Sequence, residues 1–226
     1  MHSIKTILLF LFGSCWIVTS GCQQTSQRPL SDYSYLEADR PIEKTGRITL
    51  IELSCDSTPP QIATDVTDAL FEAMQKKRVF GLTVVRRDDP ALESLQLDHS
   101  GTYTLEQLSA MRKTLQCDAV LTGEITVFKP YPHLDLGLRL KLIDLTDGQL
   151  IWAMEYVWDT TDKATRDRID RYYTDHTLVG FSSLQERLGT ISQIKFFKFV
   201  AYETSRTLHT QPPVNKQNIE VSTYNF

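Results

Sequence analysis

Two regular patterns of apolar and polar positions organise this chain. Leu134, Leu136, Leu138, Leu140 and Leu142 alternate with Asp135, Gly137, Arg139 and Lys141, a period of two that predicts a half-buried strand. Beyond Asp147-Gly148, a strong hairpin signal, Leu150, Trp152, Met154, Tyr156 and Trp158 alternate with Ile151, Ala153, Glu155, Val157 and Asp159. A further strand is predicted just before them, over 119–128. Three consecutive strands without an intervening helix predict an antiparallel meander, its leucine face against the helices.

The first half reads differently. Residues 48–53 form a short apolar run, as a buried strand does. Ser57-Thr58-Pro59-Pro60 offers a helix start, with Ser or Thr capping and proline in the first turn. Ile62, Val66, Ala69, Leu70, Ala73 and Met74 then recur at helical spacing, and Lys76-Lys77-Arg78 suits the negative end of that helix. Residues 80–85 predict a second strand, followed by a charged loop and a loosely structured stretch to Tyr103. Thr104 with Gln107 forms a capping-box pair opening a helix over 105–115, with Leu105, Leu108, Met111 and Leu115 on one face. A weaker helix is expected around 164–174. Another opens at Ser192, with Ile194, Phe197, Val200, Ala201 and Leu208 as its apolar stripe. The predicted fold is α/β, a single domain over residues 46–208. It has a mixed sheet in the order β-α-β-α-β-β-β and a C-terminal helix.

The apolar pattern at the N-terminus has another meaning. Residues 7–18 are almost wholly apolar, Lys5 precedes them, and no charged residue occurs between Lys5 and Arg28. That length fits a secretory signal rather than a membrane-spanning helix. It ends in Thr19-Ser20-Gly21-Cys22, which resembles the bacterial lipobox, with Thr19 where leucine is usual. The resemblance implies that Cys22 is acylated and becomes the mature N-terminus. Residues 1–21 are then the signal peptide, 22–45 a tether that begins to dock around Tyr33, Tyr35 and Leu36, and 209–226 a disordered tail. Gln23, in place of an aspartate after the cysteine, favours the outer membrane.

A formal net charge of −4 without a long basic run gives no electrostatic case for nucleic acid. Beyond Cys15 and Cys22, two cysteines remain. Cys55 follows one strand and Cys117 precedes another. If those strands run parallel, the thiols lie at opposite ends of the sheet and stay free.

The segments Cys117-Asp118-Ala119-Val120-Leu121-Thr122-Gly123-Glu124-Ile125, Leu138-Arg139-Leu140-Lys141-Leu142-Ile143-Asp144 and Thr146-Asp147-Gly148-Gln149-Leu150-Ile151-Trp152 carry a resemblance. Over residues 46–160 the chain resembles the lipoprotein family of penicillin-binding-protein activators and the curli-secretion lipoprotein. The fold is also similar to the N-terminal domain of the Tol-system propeller protein. The family implies non-enzymatic work in the cell envelope, on another envelope protein. The residues themselves have structural readings too. Gly123 is expected where another backbone packs closely, Trp152 in the core, and Asp147-Gly148 in a turn.

No histidine has a partner at metal-ligand spacing, and there is no nucleophile elbow or phosphate loop, so neither metal nor cofactor is expected. Asp88-Asp89 and Asp65 with Asp68 read as a solvated loop and a polar helix face. Candidate partner-binding residues are Phe128, Tyr131 and His133 in the aromatic connection, and Tyr172 and Tyr173 in the tyrosine-rich segment; a cover over the edge of the sheet is their other reading. The expected function is that of a lipid-anchored, non-catalytic envelope accessory or scaffold. An envelope hydrolase with an unrecognised site and a solute- or glycan-binding lipoprotein remain as alternatives.

Overall fold

The computed structural model describes residues 30–55, 59–77, 80–95, 103–176 and 192–208. The expected signal peptide, Cys22 and the 209–226 tail lie outside the described residues. A 3-10 turn (Leu30–Tyr33) leads into β1 (Ser34–Leu36), and a second turn (Ile42–Lys44) precedes β2 (Arg47–Ile51). There follow α1 (Pro60–Lys76), β3 (Gly81–Val85), the short α2 (Pro90–Glu93) and α3 (Leu105–Leu115). The meander is β4 (Ala119–Lys129), β5 (Asp135–Asp144) and β6 (Leu150–Asp159), and α4 (Lys163–His176) and α5 (Gln193–Thr207) close the fold.

The six strands form one mixed sheet in the order β1-β6-β5-β4-β2-β3. β2 pairs parallel with both β3 and β4, and every other pairing is antiparallel. The step from β2 to β3 runs one way across the sheet, and the step from β3 to β4 runs back. Crossovers of the same hand then need helices on opposite faces. The core shows this division. Val66, Leu70 and Met74 of α1 and Phe197 and Val200 of α5 pack with Ile48, Leu50, Leu138, Leu140 and Trp152. Leu108 and Met111 of α3 pack on the other face, with Ile51, Val120 and Ile143.

Local chemistry explains the element ends. The capping box of α3 is complete: Thr104 Oγ1 accepts from the Gln107 amide at 3.3 Å, and Gln107 Oε1 accepts from the Thr104 amide at 2.8 Å. α1 differs from expectation. Its N-cap is Pro59, with no side-chain cap, and Pro60 takes the first helical position, where a missing N–H costs nothing. The stretch after β3 also holds more order than expected, because Asp89 caps α2 by accepting from the Ala91 amide at 2.8 Å.

Three departures come from packing. Residues 34–36, expected in the tether, form an edge strand in register with Trp152 and Met154 of β6. Docking at Tyr33, Tyr35 and Leu36 therefore means sheet addition, and the Tyr33 ring lies 5.0 Å from that of Tyr156. On α5, Ile194 is 61% exposed rather than part of the buried stripe, while Phe196 and Phe199 are buried. α5 lies against the sheet, α1 and α4 together, so its apolar surface is broader than one stripe. In β6 the expected alternation breaks at a bulge: Leu142 faces Trp152 but Ile143 faces Leu150, leaving Ile151 as the extra residue. Leu150 consequently packs with the α3 face, opposite Trp152.

Candidate functional site

The five aromatic and histidine candidates separate into two groups. In β4 a second bulge falls between Ile125 and Val127, with Thr126 as the unpaired residue. It resets the alternation so that Phe128, opposite Leu136, turns toward the helices, its ring 6.0 Å from Phe197. Gly137 makes room for the bulge, since a Cβ there would come within 2.5 Å of Thr126 Oγ1. Tyr172 and Tyr173 also face inward. Tyr172 lies among the rings of Tyr173, His176, Phe199 and Tyr202, at 4.9, 4.6, 5.8 and 4.7 Å, and burial pushes its hydroxyl pKa up. The Tyr173 hydroxyl donates to the Lys195 carbonyl at 2.6 Å, fastening α4 to the first turn of α5. Tyr131 and His133 are the exposed pair. Tyr131, 85% exposed, stands at the β4–β5 turn between Pro130 and Pro132.

Two buried carboxylates carried only a faint sequence signal, a lone acid inside an apolar run. Glu203 of α5 accepts from Trp158 Nε1 at 2.8 Å and pairs with Arg168 of α4 at 3.0 Å. Burial works to lower the Arg168 pKa, but the Glu203 charge and the Tyr156 hydroxyl outweigh it and the net shift is upward. This network joins β6, α4 and α5. Glu52 follows β2, at the carboxyl ends of the parallel strands. There, adjacent β2 and β3 lead to helices on opposite faces, the place where open α/β sheets hold ligands. In this protein the place is filled by the chain itself. Glu52 accepts from Thr64 Oγ1 at 2.6 Å and from the Arg87 amide at 3.0 Å, with Arg86 Nη1 3.6 Å away. Both its oxygens are engaged, so it ties α1 and the loop after β3 to the end of β2.

The acidic pairs do not come together as dyads. Asp89 caps α2, Asp65 accepts from Gln61 at 2.8 Å, and Asp68 pairs with Arg86. Among the described residues, no three His, Cys, Asp or Glu side chains gather in a way that would hold a metal ion. Trp152 is buried in the core, as expected. The Asp147-Gly148 turn does more than turn. Arg40, from the segment between β1 and β2, bonds Asp147 and reaches Asp144 at 3.1 Å, and its hydrogen bond holds the Asp147 carboxyl below the usual range.

The most distinctive surface was not among the expected sites. On the face of β4–β6 away from α1 and α5, Glu124, Arg139 and Glu155 stand in register across three strands. Arg139 bonds Glu124 on one side and Glu155 on the other, the latter through two bonds at 2.7 and 2.9 Å. The bidentate bond from Arg139 lowers the Glu155 pKa, and Glu155 in turn raises that of Arg139. Tyr35 and Val157, 44% and 45% exposed, share this face. The alternation of 135–141 and of 153–159 was its signal, but the pairing that lines up the three charges was not.

Comparison with known proteins adds a likeness of fold. No family model matches the chain, and no curated protein does. Among solved structures, the PelC dodecamer of Paraburkholderia phytofirmans is similar at a TM-score of 0.44 and 10% identity, over 74% of this chain and 90% of that one. The C-terminal domain of LpoB from Salmonella enterica is similar at 0.35 and 18%, over 50% and 82%. Lipoprotein GNA1162 of Neisseria meningitidis is similar at 0.36 and 11%, over 59% and 99%. At these identities and scores the likeness assigns no function. No described helix is long and apolar enough to cross a membrane.

Proposed function

We propose that this protein is a lipid-anchored accessory of the bacterial cell envelope, joined to the outer membrane through acylated Cys22 and facing the periplasm. It binds another envelope protein and catalyses no reaction. The observation that carries this reading is the open sheet face with its Glu124–Arg139–Glu155 ladder. A fixed negative-positive-negative row beside the exposed apolar groups of Tyr35 and Val157 suits selective protein contact, because charge pattern sets partner choice and register. The anchor supports it further, since tethering raises effective concentration toward neighbours on the same membrane. Of the candidates from sequence, Tyr131 and His133 remain accessible, whereas Phe128 packs the sheet against α5 and Tyr172 and Tyr173 hold α4 to α5.

The test is in-cell photocrosslinking from a Val157→p-benzoylphenylalanine variant of the full chain, followed by mass spectrometry. The expected result is reproducible recovery of one envelope protein, reduced about tenfold by Arg139→Glu, a change of about 1.4 kcal/mol. Recovery of no partner, or a yield indifferent to Arg139→Glu, overturns the reading.

A further inference from the structure

The tether is much shorter than its sequence suggests, and its point of entry gives the domain an orientation. Residues 34–36 are paired into the sheet, and Arg40 clamps the following segment to Asp144 and Asp147. Only eight residue steps separate Cys22 from Leu30, where the first turn begins. Fully extended, they reach about 28 Å, whatever conformation they take. A domain of this size is about 40 Å across. The leash is shorter than the body it holds.

The register says which end is held. β1 runs antiparallel to β6, with Leu36 beside Trp152 and Ser34 beside Met154. Followed toward Cys22, the chain therefore advances toward the Trp158 end of β6, and the Tyr33 ring packs, tilted, against that of Tyr156 on the way. Trp158 is in register with Leu136, and Leu136 with Phe128. The β4–β5 turn carrying Tyr131 and His133 is thus at the end of the sheet where the leash arrives. Three strand spacings, about 15 Å, separate β1 from β4 across the sheet. The turn is also firmly placed: Leu134 donates to Thr160 Oγ1 at 3.0 Å and accepts from the Thr160 amide at 3.1 Å.

The tip itself suits a bilayer surface. The 130–133 tip contains no acidic residue; Lys129 at its base is paired with Asp135 at 3.1 Å, and His133 stands close to the 85% exposed Tyr131. Tyrosine rings, apolar with a polar end, settle at headgroup level. We propose that the 130–133 turn is a membrane contact, with Tyr131 resting among the headgroups of the bilayer to which Cys22 is acylated. This rests on the anchored reading above and adds to it. It assigns the Tyr131 tip to lipid and leaves the sheet face, turned sideways to the membrane, for the protein partner.

The experiment places p-benzoylphenylalanine at Tyr131 in one full-length acylated protein. A second carries it at Thr146, in the β5–β6 turn at the far end of strands about 33 Å long. Both are bound to vesicles of phosphatidylethanolamine and phosphatidylglycerol, illuminated, and analysed by intact mass. The expected result is at least tenfold more phospholipid adduct from position 131 than from 146. Inserting twenty Gly/Ser residues after Gln27 should reduce that ratio severalfold. Equal adducts from the two positions overturn the orientation, as do adducts from neither in vesicle-bound protein, or a position-131 crosslink to a protein in cells. A Cys22→Ala protein that binds the vesicles as the wild type does would instead overturn the acylation on which both readings rest, so the two failures are separable.

Discussion

Gly123 lies at the centre of β4, and a Cβ built on it would stand 2.3 Å from the Arg139 carbonyl oxygen and 2.6 Å from Leu140 Cδ2. The nearer obstacle is backbone of the neighbouring strand, which cannot rotate away. Gly123→Ala is expected to destabilise the fold by about 2 kcal/mol, seen as a lower urea midpoint with an unchanged slope. This requirement was legible from sequence, because a glycine inside an otherwise good strand signals close approach. The direction of Phe128 was not. One extra residue at Thr126 inverts every side chain after it, and the bulge depends on room left by Gly137 on a strand that pairs through space. The inward direction of Tyr172 and Tyr173 was hidden for a similar reason, since helical spacing does not say which face meets α5.

At the level of elements, β1 has only three residues and depends on support from outside itself. Its first support is the Glu37 amide, which donates to the Ile151 carbonyl at 2.9 Å; its second is the Arg40 clamp. Arg40→Ala should raise hydrogen exchange at the Glu37 amide severalfold while leaving the amides of β5 unchanged. Acid should act on the same joint. Arg40 keeps the Asp147 carboxyl below its ordinary pKa, so the clamp contributes above the ordinary carboxylate range and is lost as pH falls through the lowered value. The Ile151 amide resonance is expected to shift below the ordinary carboxylate range in the wild type, and that transition should be lost or move up toward the ordinary range in Arg40→Ala. A sequence can display Arg40, but not a contact spanning a hundred positions.

Across the whole molecule, strand direction decides the thiol chemistry. β2 and β4 run parallel with Ile48 beside Ala119, and a further parallel bridge joins Ser54 to Glu124. Cys117 thus lies at one end of that pair and Cys55 at the other, about 25 Å apart along the strands, and both are free. Burial raises the Cys117 thiol pKa, whereas Cys55 is partly exposed. Acylated protein should react at Cys55 when folded and at both thiols when denatured without reductant; one free thiol or none in denaturant would contradict the parallel arrangement. The sequence by itself determined the elements, from periodicities, capping residues and turn signals that act within a few residues of each other. From these followed the α/β class, the mixed sheet and the meander. Only the tertiary structure decided the edge strand β1, the two bulges, the knots at Glu52 and Glu203, and the alignment of Glu124, Arg139 and Glu155 on one face. Each depends on groups far apart in the chain, brought together by burial of the core and the register of the sheet.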